Sequence, residues 1–235
     1  GGKKRDEIPV YASFTRDQYP EPKLAADRAR YLVNEGYQTL KFRMRWGMEN
    51  QDPVYDTTLA FAESLKNAIG PDINLVMDAN MGHSRKRAIE LGNQLEKYQL
   101  MWWEEPTAPY DYETIKAVSE AIKTPVVFGE HAYTVDQVRH LCTYGKVWAI
   151  NPDLLKCGGF TGGRQISNWA ETNKMKIVAH NSRPSLSTVC MLHWVSSTAA
   201  TEDLQQEYAH REKAPQAYDT EINYPQCRAG TITLS

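Results

Sequence analysis

The sequence predicts an α/β fold, a single (β/α)8 barrel of the TIM type, on three observations. From residue 8 onward, short apolar or β-branched runs alternate with longer stretches of helical period, the pattern of repeated βα units. Eight such runs occur in 235 residues, close to the usual size of that barrel. The runs also close on ionisable residues about one βα unit apart, which is where a barrel of this kind carries its chemistry.

The predicted strands are Ile8–Phe14, Thr39–Met44, Asn74–Ala79, Met101–Glu105, Pro125–Glu130, Val147–Leu154, Lys176–Asn181 and Leu204–Tyr208. Helical patterns fill Pro22–Asn34, Asp56–Ala68, Ser84–Tyr98, Tyr110–Ala121, Thr134–Thr143, Thr161–Thr172 and Ser185–Ser197. Ser84 and Thr134 are N-cap candidates, and Gly36 and Gly70 stand just past helix ends. Breaks fall in turn-rich spots such as Gly70-Pro71-Asp72, with no long linker, so residues 1–235 read as one domain. The alternative, an open doubly wound sheet, usually carries a Gly-rich phosphate loop after its first strand. The run Gly158-Gly159-Phe160-Thr161-Gly162-Gly163 instead follows the sixth strand and lacks both GxGxxG spacing and a Walker lysine, so it reads as a structural turn, with a phosphate or carboxylate cradle as the alternative.

Composition excludes several classes of function. With 27 Lys+Arg against 29 Asp+Glu the formal charge is −2, which argues against a nucleic-acid or lipid surface. The 41% apolar and 10% aromatic content supports a sizeable core rather than disorder. No apolar run approaches a membrane span, and Gly1-Gly2-Lys3-Lys4-Arg5-Asp6 lacks the apolar stretch of a signal peptide. Cys142, Cys157, Cys190 and Cys227 are scattered without CxxC spacing, so reduced thiols and a cytoplasmic location are expected.

The residues at the predicted strand ends carry the functional argument. Strand two ends in Lys41-Phe42-Arg43, strand three in Asp78-Ala79-Asn80, strand four in Glu104-Glu105-Pro106 and strand five in Gly129-Glu130-His131. Strand six gives Asn151-Pro152-Asp153, strand seven His180-Asn181 and strand eight Glu207. Asp78, Glu104, Glu130, Asp153, His180 and Glu207 are separated by 26, 26, 23, 27 and 27 residues, so each is expected at the same level of its strand. Asp78, Glu104 and Glu130 then form an arc of carboxylates whose repulsion, on the order of several kcal/mol in a partly dry pocket, calls for a cation. Mg2+ takes oxygen ligands and keeps positions for water or a chelating acid. Lys41 and Arg43, two apart on a strand, point to the same side, inward if Leu40 and Phe42 face the helices. Across the barrel, Asp153 beside His180 would orient the imidazole and raise its basicity.

These stretches closely resemble the enolase superfamily, in particular the mandelate racemase subgroup with its acid-sugar dehydratases. The matching segments are Leu40–Arg43, Val76–Asn80, Trp103–Pro106, Phe128–Glu130, Asn151–Gly159 and Val178–His180. The resemblance implies that Asp78, Glu104 and Glu130 hold Mg2+, that the substrate is a small carboxylate, and that a base removes its α proton to give a stabilised enediolate. Asp153 stands where the muconate-cycloisomerase subgroup places a catalytic lysine. Glu207 matches a strand-eight glutamate that donates to the substrate carboxylate, which requires a raised pKa. Lys41-Phe42-Arg43 departs from the subgroup's Lys-x-Lys by losing the second base, since arginine stays protonated. Dehydration needs one base and racemisation two, so a sugar-acid dehydratase (an aldonate or aldarate hydro-lyase) is expected, with Lys41 and Arg43 binding carboxylate or hydroxyl. The alternatives are a racemase or epimerase on the same site and a non-catalytic acid-binding barrel.

Asn80, His131, Trp46 and His83 are the expected substrate contacts, the last three because they lie in rim loops. The other tryptophans read as packing, and His140, His193 and His210 as structural or solvated. Family members carry an N-terminal capping domain and a C-terminal extension. The expectation is therefore a barrel-only portion, with 211–235 a tail returning toward that cap and a homo-oligomer as the assembly.

Overall fold

The computed structural model describes residues 2–181, 185–208 and 227–234. In chain order its elements are β1 Glu7–Thr15, α1 Pro22–Asn34, β2 Thr39–Arg43, α2 Thr58–Ile69, β3 Asn74–Asp78, α3 Arg85–Leu95, β4 Trp102–Glu104, α4 Tyr112–Ala121, β5 Val126–Phe128, α5 Val135–Thr143, β6 Ala149–Ile150, α6 Gly159–Thr172, β7 Lys176–Ile177, α7 Leu186–Ser196, β8 Gln206–Tyr208 and β9 Thr231–Thr233. The neighbour order β7-β6-β5-β4-β3-β2-β1-β8 makes one curled parallel sheet, in which each of the first seven strands lies beside its predecessor. β8 returns to pair with β1, with Tyr11 opposite Glu207.

Strand alternation divides the apolar residues into two cores. Tyr11, Val76, Trp102, Val127, Ala149, Val178 and Leu204 fill the barrel interior. Residues of opposite parity face the helices, where Phe42 packs edge-on to Phe14 at 5.1 Å and stacks on Phe61 at 4.8 Å. Leu40 and Phe42 belong to this outer core, which leaves Lys41 and Arg43 for the interior.

Local sequence sets the ends of the elements. Thr134 and Gln137 form a reciprocal capping box on α5, and the Ser84 hydroxyl accepts from Arg87 N–H at 3.3 Å on α3. The glycine run serves the turn into α6. Gly158 has φ +92°, and a Cβ on Gly162 would stand 1.7 Å from the Cys157 carbonyl oxygen.

Two features differ from the sequence expectation. β6 and β7 shrink to two residues each, because the chain beyond Ile150 turns through Asp153, whose carbonyl accepts from Lys156 and Cys157 N–H. Among the described residues β7 and β8 also share no backbone ladder. Side chains of Gln206 and Glu207 span that seam, accepting from Ala179 N–H at 2.7 Å and Asn181 N–H at 2.9 Å. Of the tail over 211–235, the described part forms β9, antiparallel to the start of β1 with Ile232 opposite Ile8. Residues 211–226 and His210 lie outside the described residues.

Candidate active site

Asp78 and Glu104 are direct register partners at the ends of β3 and β4. Glu130 is not at their level, contrary to the even spacing along the chain. Glu104 pairs with Val127, three residues earlier, and Gly129 at φ +146° turns the chain so that Glu130 reaches the cluster from beyond the ladder. Asp78, Glu104 and Glu130 can each present one oxygen so that all three lie within 4.8 Å of one another.

Neighbouring side chains fix these carboxylates. Asn80 N–H and Nδ2 donate to the two oxygens of Asp78 at 2.8 and 3.2 Å. Asn151 Nδ2 donates to Glu104 Oε1 at 2.8 Å, and Trp102 Nε1 to Glu104 Oε2 at 3.2 Å. Lys41 Nζ, fully buried, also bonds Glu104 and lies 3.3 Å from Asp78 and 3.7 Å from Glu207. Burial, with the nearby acids adding to it, pushes Glu104 up to about 7 against the pull of Lys41. Burial and Glu130 likewise raise Asp78, against Lys41 and Arg43. An all-oxygen set of three crowded, buried carboxylates is the chemistry a hard divalent cation stabilises, so the residues fit Mg2+.

The imidazole of His180 sits beside this cluster. Its Nδ1 is 2.9 Å from Asp153 Oδ2, and Asp153 Oδ1 is held by Leu155 N–H at 2.8 Å. Its Nε2 is 3.2 Å from Glu130 Oε2 and 4.0 Å from Glu207 Oε2. Burial alone would lower the imidazole pKa. Glu130, the Asp153 bond and Glu207 outweigh it and bring the ring up to about 9.

Glu207 corrects the sequence reading, which requires a raised pKa. Burial does push it upward, but Lys41, His180 and Arg43 together with the Asn181 N–H bond hold it well below the usual carboxylate range. It is an ionised acceptor in this arrangement. Its Oε1 and the Nε of buried Arg43 have no hydrogen-bond partner among the described residues.

The four expected substrate contacts fall in different settings. Asn80 holds Asp78 as described and, through Oδ1, accepts Arg45 N–H at 3.0 Å. Trp46 is buried, donates to Thr58 Oγ1 at 3.3 Å and lies under the Arg16 guanidinium at 3.9 Å. His83 has no exposed surface, packs against Trp103 with ring centres 5.8 Å apart, and has its pKa lowered by that burial. His131 keeps one-fifth of its side chain exposed, with Nδ1 2.9 and 3.0 Å from the oxygens of buried Glu105 and 3.8 Å from Glu130. Sequence reasoning assigned no role to Glu105, Asn151 or Gln206, and read Trp102 as packing alone, whereas its Nε1 also holds Glu104. The doubled acid Glu104-Glu105 is the one signal that could have marked the first.

The chain is thus a parallel α/β barrel with a carboxylate cluster and an Asp–His pair beyond the C-terminal ends of its strands. A family model described as enolase C-terminal domain-like matches residues 23–235, and the chain belongs to that family. It is 27% identical over 199 residues to the D-xylonate dehydratase of Haloferax volcanii, covering 80% of this chain and 48% of that protein. It is 30% identical over 182 residues to the D-galactarolactone cycloisomerase of Agrobacterium fabrum, covering 77% and 46%. The chain thus spans about half the length of these relatives. Among solved structures, a mandelate racemase/muconate lactonizing protein from Paracoccus denitrificans superposes with TM-score 0.89 at 26% identity, over 100% of this chain and 63% of that one. No helix among the described residues is long and apolar enough to cross a membrane.

Proposed function

We propose that the barrel catalyses Mg2+-dependent removal of the proton α to a carboxylate, and that the outcome is dehydration of a sugar acid, an aldonate or aldarate. The observation that carries this reading is the Asp153–His180 pair in contact with the Asp78–Glu104–Glu130 cluster through Glu130. Mg2+ held by those three carboxylates would supply fixed positive charge to the substrate carboxylate, which acidifies the α carbon. With Glu130 engaged by Mg2+, the carboxylate that holds a proton on His180 Nε2 would be withdrawn, and with Asp153 keeping the remaining proton on Nδ1, Nε2 is the atom that takes the α proton. The same imidazolium then gives that proton to the hydroxyl departing from the β carbon, so one water leaves and the proton count balances.

Lys41 and Arg43 supply the remaining positive charge. Arg43, with an unengaged Nε, is placed to bind a carboxylate or hydroxyl through its planar fork. Glu207, ionised, suits a substrate hydroxyl as donor to its Oε1, which accepts no hydrogen bond among the described residues although Lys41 lies 3.7 Å away. Arginine in place of a second lysine leaves one proton carrier at the α carbon, which favours elimination over racemisation.

The cycloisomerase relative makes a second reading specific: proton transfer at the same site without loss of water. The test is a panel of aldonates and aldarates, beginning with D-xylonate, incubated with the full-length protein and Mg2+ in deuterated water. Loss of water giving a 2-keto-3-deoxy acid supports the proposal. Exchange of the α proton without loss of water selects the second reading, and no exchange with any acid that binds leaves an acid-binding barrel.

A further inference from the structure

The seam between β7 and β8 is closed by side chains, and the segment it secures carries His180. Backbone donors alternate along this segment. Val178 and His180 N–H point to the β6 side, bonding Ile150 and Pro152 carbonyls at 2.8 and 3.2 Å. Ala179 and Asn181 N–H therefore face β8, where no ladder receives them among the described residues. The buried side-chain amide of Gln206 accepts from Ala179 N–H at 2.7 Å and donates to the Ile177 carbonyl at 3.3 Å. In a parallel ladder, that carbonyl and that N–H are the pair offered to a single residue of the adjoining strand. The Gln206 amide thus takes the place of a backbone peptide. Its Nε2 is anchored in turn by the Leu204 and Thr201 carbonyls at 2.8 and 3.1 Å.

The next rung is Glu207, which accepts from Asn181 N–H at 2.9 Å. The two residues that flank His180 are thus tied to two successive side chains of β8. The rungs differ in kind. Glu207 also faces Lys41 and His180 within the site, whereas among the described residues every partner of the Gln206 side chain is a backbone group, so Gln206 holds the strand independently of what occupies the site.

We infer that Gln206 is a positioning residue for His180: its side-chain amide substitutes for the missing rung between β7 and β8 and so fixes the imidazole against Asp153 and Glu130. The inference rests on the reading of His180 as the base only for its effect on turnover. The positioning itself is independent of substrate.

The test is Gln206→Met, which keeps length and apolar bulk and removes all four bonds. In the wild type, the Nδ1 proton shared with Asp153 is expected as a downfield resonance. In the variant that resonance broadens or disappears, while Mg2+ affinity by calorimetry stays within about twofold. On any sugar acid that the wild type turns over, kcat falls at least about tenfold with KM nearly unchanged. A variant with the resonance and kcat of the wild type overturns the inference, as does a parallel loss of Mg2+ affinity, which would mean general damage to the barrel. If the variant does not fold, amide exchange in the wild type decides. Ala179 N–H protected as well as Val178 N–H supports the rung, and exchange at the rate of an open loop contradicts it. Absence of turnover in the wild type would count against the proposed activity and leave the resonance and exchange measurements in force.

Discussion

The Nε2 atom of His180 lies 3.2 Å from Oε2 of Glu130, so the imidazole and the third carboxylate of the cluster share a contact. Charge placed on one of them is felt by the other. Without metal, Glu130 is one of the groups that bring His180 up to about 9 from an ordinary 6.5.

The sign of the pH dependence follows from that contact. A folded-state pKa above the unfolded one means that the pairing stabilises the metal-free fold in full below about pH 6.5 and loses this contribution as pH rises through about 9. Chelator-treated protein is expected to lose thermal stability across that window. Saturating Mg2+ engages Glu130 and should lower the imidazole pKa, which titration of the His180 ring by NMR would read directly.

Metal affinity should depend on Glu104 more than its chemistry alone suggests. Its two oxygens are held by Asn151, Trp102 and Lys41, so the carboxylate is pre-oriented. Glu104→Gln removes the charge but keeps the shape, and Mg2+ binding by calorimetry is expected to weaken at least about tenfold. Unchanged affinity would refute the metal assignment.

Asp153→Asn tests the pair. A carboxylate beside an imidazolium in a partly screened site contributes about 1–3 kcal/mol, or roughly ten- to a hundredfold in rate. The variant should lose that much in kcat on the full-length protein while Mg2+ affinity is retained. Loss of metal with kcat preserved would make Asp153 a scaffold or ligand group instead.

Arg43→Lys restores a titratable amine next to the cluster. It is expected to retain α-proton exchange and to add exchange from the opposite face, read as loss of stereochemical integrity in recovered substrate. An inactive variant with intact Mg2+ binding would show that the planar guanidinium itself is required.

The glycine run makes a structural prediction. In Gly162→Ala the new Cβ meets the Cys157 carbonyl, a backbone atom that cannot move cheaply, and destabilisation of about 1–3 kcal/mol or more is expected. Gly159→Ala meets no atom within 4 Å and should cost only the left-handed backbone conformation, about 1–2 kcal/mol. Denaturant melts of the two variants separate these effects.

Much of the architecture was legible in the sequence because it is written in local periodicity. α1 spans Pro22–Asn34 as the helical pattern predicts, and β1 to β4 begin within one residue of their predicted starts. The alternation that sends Leu40 and Phe42 outward and Lys41 inward is equally local. What depends on tertiary neighbours was not legible. Residue counting put Glu130 level with Glu104, whereas Gly129 carries it past the end of the ladder. The ionisation of Glu207 is set by Lys41, His180 and Arg43 from other strands, and so opposes the state inferred for it. Gln206 gives no sequence signal, because its partners are backbone groups, two on the segment of β7 and two in the turn that leads into β8.

Whether His180 is the base that removes the α proton is decided by one comparison. Wild-type and His180→Asn full-length proteins, both loaded with Mg2+, are incubated in deuterated water with a sugar acid that the wild type turns over. Deuterium uptake at the α carbon is expected from the wild type and none above background from the variant, with Mg2+ affinity retained. Exchange by His180→Asn at the wild-type rate would contradict this assignment and place the base elsewhere in the site.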